Sequence, residues 1–204
     1  MEKRPRFEYA GQSSEGILAH VETHSLFSVL GGLQWCIQAK ARVQGGKDKL
    51  SEEKRVFLAV MTLILEVNNG GYRQFFWNRS RQHAPIIVDS LRRIQGERTA
   101  ELTARAIAPL HLREVTAERI AEVMQCENPE RDAELEALSR EFYSFHEATQ
   151  QLLVFVLAER AHIQAPRTED YPRFPKRNGS IRSKRLIASA DELYEKTKPP
   201  TVDY

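Results

Sequence analysis

Glu66-Val67-Asn68-Asn69-Gly70-Gly71-Tyr72-Arg73-Gln74-Phe75-Phe76-Trp77-Asn78-Arg79-Ser80 is the run on which the reading of this chain turns. Asn and Gly adopt positive φ more readily than other residues, so Asn68 to Gly71 is expected to stop the preceding helix and reverse the chain tightly. Four rings follow at once, Tyr72, Phe75, Phe76 and Trp77. They carry a large apolar area, and Tyr and Trp need polar partners wherever they are buried. The amides of Gln74 and Asn78 and the carboxylate of Glu66 stand ready to satisfy backbone groups of such a turn. Two readings are open: an aromatic-locked, self-satisfied corner of the core, or a binding surface of exposed rings and amides. No His, Cys or Lys lies within the run to act as base or nucleophile, so no catalytic residue is assigned.

Working outward, the flanks read as helices. Ser51-Glu52-Glu53 sets an N-capping hydroxyl before two acids that suit a helix N-terminus. From Phe57 to Leu65 apolar residues occupy more than one face, as a buried central helix requires. Upstream, Ile17, Val21, Leu26, Leu30, Leu33 and Ile37 recur at helical spacing, with a break or a close crossing expected at Gly31-Gly32. Downstream, Ala84-Pro85 opens a helix to about Ile94, since proline is tolerated in a first turn. Thr99–Ile107 and Thr116–Met124 follow as shorter helices. Asn128-Pro129-Glu130 is a strong start signal. Beyond it Leu135, Leu138, Phe142, Phe145, Thr149, Leu152 and Val156 alternate by three and four, predicting one long helix of the C-terminal half. That stripe packs on its own domain or forms part of a dimer seam. The class is all-α: a single compact multi-helix domain.

The chain has 204 residues, enough for one sizeable core, and its apolar and charged fractions of 41% and 28% are those of a globular protein. The formal net charge of +2 carries no global field for nucleic acid or membrane. Cys36 and Cys126 match no metal or redox spacing and read as buried thiols of a reducing compartment. The opening residues have no apolar core of a signal peptide, and the run Val56–Leu65 is too short to span a bilayer. A cytoplasmic protein without membrane attachment or cofactor is expected. His20 and His24 share a helix face at i, i+4, but no carboxylate or thiol ligand lies nearby, so no metal site is assigned. The expected organisation is a flexible segment over 1–15, a helical domain over 16–165, and an irregular tail over 166–204.

The run EVNNGGYRQFFWN, with the Ser51 helix before it and Ala84-Pro85 and Thr99-Ala100-Glu101-Leu102 after it, resembles the bacterial DNA-mimic protein family. The signature positions are Asn69, Gly70, Gly71, Tyr72, Gln74, Phe75, Phe76 and Asn78, and the likeness extends over 50–163. The resemblance implies an all-helical fold, a homodimer, and a protein–protein interaction in which a carboxylate-studded surface imitates DNA. Glu66, Asn68, Asn69, Gly70, Gly71, Tyr72, Gln74, Phe75, Phe76 and Asn78 form the candidate binding loop. The chain is not globally acidic. Only Glu114–Glu147 is, with ten acids against Arg119, Arg131 and Arg140.

The tail suggests the opposite chemistry. Arg173, Lys176, Arg177, Arg182, Lys184 and Arg185 follow one another with no acid between them. The prolines around them mark a segment that is either disordered or draped over the domain, with one short helix over Ser189–Lys196. The expected function is therefore a non-enzymatic interaction protein with a protein partner. The alternative is a nucleic-acid-associated protein that binds phosphates through those six basic residues.

Overall fold

Val56 to Met61 are six consecutive buried residues, and no surface helix can hide every face at once, so this segment has to be the centre of the fold. The structure is a computed structural model that describes residues 4–43 and 50–164. Among these every regular element is a helix. The chain runs α1 (Ser14–Leu18), α2 (Leu26–Val43), α3 (Glu52–Trp77), α4 (Ala84–Arg93), α5 (Glu97–Ile107), α6 (Ala117–Gln125), α7 (Pro129–Tyr143), α8 (Glu147–Ala158) and α9 (Arg160–Ile163). Short 3-10 turns, Arg79–His83 and Ala108–Leu110, lead into α4 and out of α5.

Helix α3 is the axis. It touches α2, α4, α6, α7, α8 and α9, and the apolar sides of these neighbours close over it. Phe57, Met61, Leu63 and Ile64 are wholly buried, as are Leu30, Leu33 and Ile37 of α2 and Ile87 of α4. Ser51 is the N-cap by position, but its hydroxyl accepts no amide of its own helix; it donates to the His162 carbonyl at 3.4 Å. The acids at that end hold α4: Glu52 pairs with Arg93, and Glu53 pairs with it at 3.1 Å. Glu53 is held below the usual carboxylate range, chiefly by hydrogen bonding to its own backbone amide.

The break expected at Gly31-Gly32 comes earlier, in the turn of residues 19–25, and α2 runs unbroken through both glycines. Gly32 alone of the pair accommodates Phe7 by close approach, while Gly31 faces open space. A Cβ on Gly32 would stand 2.7 Å from that ring. Within the opening segment Phe7 is buried, its amide donates to Ser28 Oγ at 2.9 Å, and the Ser25 amide donates to the Pro5 carbonyl. His20 and His24 pack edge to face at 4.7 Å, with Phe7 against both. They serve as an aromatic cluster.

The long C-terminal-half helix is two helices. α7 ends at Tyr143 and α8 begins at Glu147. Leu135, Leu138, Phe142, Leu152 and Val156 of the stripe are buried within this chain's own core, and Phe145 and Thr149 are half-buried. Cys126 is exposed rather than buried, while Cys36 lies inside.

Candidate functional site

The signature run does not end α3. Residues 70 and 71 leave helical geometry, at φ −158°, ψ 29° and φ 72°, ψ −177°, and the helix resumes to Trp77. The expected reversal is thus a kink. A kink strands backbone groups, and each has a buried cost unless something meets it. Ser139 of α7 meets one: its Oγ accepts the Tyr72 amide at 2.9 Å and donates to the Leu135 carbonyl at 2.6 Å. Tyr143 meets another, donating to the Val67 carbonyl at 2.7 Å. Only glycine fits at 71, because φ is positive there and a Cβ would lie 2.6 Å from Ser139 Oγ.

The side chains of the run divide into two sets. Tyr72, Phe75 and Phe76 are wholly buried, and Tyr72 OH is hydrogen-bonded to Thr103 Oγ1 at 2.9 Å. Burial pushes the Tyr72 phenol above its ordinary range. Trp77 faces solvent, with the Arg73 guanidinium over its ring at 5.7 Å. The amides converge on Glu66: Oε2 accepts from Gln74 Nε2 at 2.7 Å and from Asn78 Nδ2 at 2.8 Å. Gln74 Oε1 in turn accepts from Asn69 Nδ2 at 3.0 Å. Asn68 bonds back to the Ile64 carbonyl at 2.8 Å. So Glu66, Asn69, Gln74 and Asn78 form one polar clasp across the kink, Gly70 lies exposed beside it, and the three buried rings belong to the core.

Two arginines in and beside the run, Arg73 and Arg81, are occupied too. Arg81 Nη1 caps the end of α3 through the carbonyls of Trp77 and Asn78, at 2.6 and 2.9 Å, where a cation also suits the helix dipole. Arg73 reaches Asp132 of α7 at 3.3 Å.

A second region is electrostatically different. Within Glu114–Glu147, Arg131 is buried. Its guanidinium donates to the carbonyls of Val123 and Cys126 at 2.7 and 3.1 Å and to Asp132 at 2.9 Å, tying the end of α6 to the start of α7. One of the three arginines of the stretch is thereby withdrawn from the surface. Glu114, Glu118, Glu122, Glu127, Glu130, Glu134 and Glu136 remain exposed beside Arg119 and Arg140. Those two arginines make long pairs with Glu122 and Glu136, at 3.8 and 3.7 Å. Among the described residues no ion pair reaches Glu118, Glu127, Glu130 or Glu134.

Sequence reasoning missed Glu147. Its carboxylate accepts from Thr99 N and Thr99 Oγ1, both at 2.7 Å, and from Arg98 N at 3.4 Å, so α5 is capped by a residue from α8. Arg98 also lies 3.9 Å above the Phe145 ring. The signal was an incomplete start: α5 follows Gly96, which has no side chain to cap it. A crevice beside this cap is lined by Asn68, Thr99, Phe142, Phe145 and His146. It has room for no more than about one water molecule, so it is no small-molecule site. The basic tail residues Arg173, Lys176, Arg177, Arg182, Lys184 and Arg185 lie outside the described residues. No helix is long and apolar enough to cross a membrane, and no group of three metal-ligating side chains occurs, both among the described residues.

A family model described as DMP19-like protein matches residues 48–165, more than half of the chain, and encloses the span over which the sequence resemblance was read. No curated protein and no solved structure matches.

Proposed function

The chain belongs to the DMP19-like protein family, and from that premise we propose that it is a non-enzymatic protein of the DNA-mimic type. Its working surface is the acidic face of α6 and α7, and its partner is a protein whose DNA-binding surface is basic. The observation that carries this is the withdrawal of Arg131. With that cation turned inward, seven exposed glutamates stand against two arginines in a chain whose total charge is +2. Glutamates three and four positions apart on a helix lie about 5–6 Å from one another. That spacing sets Glu130 and Glu134 side by side on α7, and Glu127, which precedes the helix, adds a third exposed carboxylate to offer a partner surface built to meet phosphates. The clasp around Glu66 supports this reading indirectly, because it consumes the polar groups of the signature run in bracing the kink of α3.

The test uses the full chain, immobilised, against an extract, with duplex DNA as the eluant. A bound protein released by DNA from the natural chain, and not retained by a Glu127→Gln/Glu130→Gln/Glu134→Gln variant, is the expected result. Retention by the variant, or partners that DNA does not displace, sinks the reading. The alternative, nucleic-acid binding through Arg173–Arg185, predicts direct binding of duplex DNA by the protein alone at low salt, weakening steeply as salt rises. The homodimer implied by the resemblance is checked by light scattering of the purified chain.

A further inference from the structure

Arg73 rests between two groups that suit a guanidinium. The Trp77 ring lies 5.7 Å from its Cζ, and the Asp132 carboxylate of α7 lies 3.3 Å from its Nε. A ring face attracts a cation through its quadrupole, and a carboxylate beside it accepts the N–H groups. All three groups reach solvent: the Arg73 side chain is 59% exposed, Trp77 is 51% exposed, and Asp132 keeps 29% of its side chain in the open. The two oxygens of Asp132 are divided. Oδ1 accepts from the buried Arg131 at 2.9 and 2.8 Å, and Oδ2 takes Arg73 from outside. An exposed ion pair of this kind holds weakly, so a competing cation displaces Arg73 at small cost.

The place of this pair in the fold matters as much as its chemistry. Contacts between α3 and α7 run antiparallel: Val67 meets Tyr143, Tyr72 meets Ser139, and Arg73 meets Asp132. Moving toward Trp77 on α3 therefore leads toward the start of α7, where Glu130 and, before the helix, Glu127 are exposed. The turn Arg79–His83, directly after Trp77, packs against α6. Trp77 thus borders the acidic face.

We propose that Trp77 and the outer oxygen of Asp132 form a subsite for an arginine side chain of the partner, and that Arg73 fills it in the free protein and yields it on binding. The proposal rests on the reading of α6 and α7 as the partner surface, and gives that surface a preference for arginine over lysine. A guanidinium is planar, weakly hydrated and able to lie on a ring, whereas an ammonium is a strongly hydrated point charge. Arg73 therefore acts against binding, and its removal should strengthen the partner's hold.

The experiment titrates the full chain into labelled octa-arginine and octa-lysine peptides and reads fluorescence anisotropy. Arg73→Gln should bind octa-arginine several-fold more tightly than the natural chain does. Arg140→Gln removes the same charge from the exposed side of α7 and should gain clearly less. Adding Trp77→Leu to Arg73→Gln should cancel the excess and narrow the preference for octa-arginine over octa-lysine. Arg73, Trp77 and Arg140 are exposed, so these variants leave the core intact, and Asp132, which also holds Arg131, stays untouched. Equal gains in Arg73→Gln and Arg140→Gln would mean that net charge alone matters, and overturn the proposal. So would a gain that survives Trp77→Leu. The reading of the acidic face fails on a different result: Glu127→Gln/Glu130→Gln/Glu134→Gln binding octa-arginine as tightly as the natural chain. Absence of binding by every chain defeats both.

Discussion

The kink of α3 and the acidic face of α6 and α7 make opposite use of polar side chains. At the kink almost every polar group is answered from within: Glu66 by two amides, the Tyr72 amide by Ser139, the Val67 carbonyl by Tyr143. On the acidic face one of the three arginines that could have balanced the glutamates, Arg131, is drawn inside to serve three acceptors. The first region is rich in unusual residues and turns them to structure. The second is compositionally plain and keeps its charges available. Conspicuous residues here mark structure, and the proposed interaction surface is read from unbalanced charge instead.

That contrast can be broken most forcefully at the kink. Phe76→Ala should cost about 3–5 kcal/mol of unfolding free energy, the usual penalty for emptying a buried ring site. A denaturant titration showing less than about 1 kcal/mol would mean that the corner is not part of the core. Arg131→Met should cost about 2–3 kcal/mol, because the Val123 and Cys126 carbonyls lose their donor. It should not make the face less acidic, since it removes a cation and takes one partner from Asp132. Partner binding measured at permissive temperature should stay close to normal. Glu66→Gln should cost about 1.5 kcal/mol, since two charge-assisted bonds become ordinary or clashing ones.

The acidic face predicts the reverse pattern. Glu130→Gln with Glu134→Gln should change stability by no more than about 0.5 kcal/mol. The same pair should weaken partner binding and flatten its dependence on salt. A loss of stability with binding intact would invert the assignment of the two regions. The smallest effect is a pH dependence at the base of α3. The folded pKa of Glu53 lies below its unfolded value, so its contribution is present above the unfolded value near 4.5 and is lost as pH falls through the lower folded one. Glu53→Gln should remove that part of the acid sensitivity in thermal melts.

Much of the fold could be read from local chemistry. Asn128 caps α7 through Arg131 N, Thr116 caps α6 through Arg119 N, and Pro85 sits in the first turn of α4. The helix α3 was legible because an all-round apolar segment has one place to go. What escaped were features decided by distant partners. The tetrad Asn68–Gly71 has the composition of a helix stop, yet α7 supplies the groups that let the helix bend and continue. The break between α7 and α8 was hidden by an unbroken three-and-four stripe, for Phe145 and Glu147 are held by Arg98 and Thr99 of α5. The inward turn of Arg131 has no local signal, since its acceptors at Val123 and Cys126 are backbone groups. The placement of the candidate loop residues was legible only in part: their clustering followed from sequence proximity, but their division into buried rings and a polar clasp did not.

The Glu147 cap has a kinetic consequence. The eleven residues of α5 are too few to persist as a helix on their own, and their N-terminal amides are met only by a carboxylate 48 positions later. Helix α5 is therefore expected to gain its cap during folding only once α8 has been brought alongside it, so that the two segments would gain order together. Amide exchange in the first turn of α5 should consequently report on the opening of α8, although the two lie at opposite ends of the acidic stretch between them.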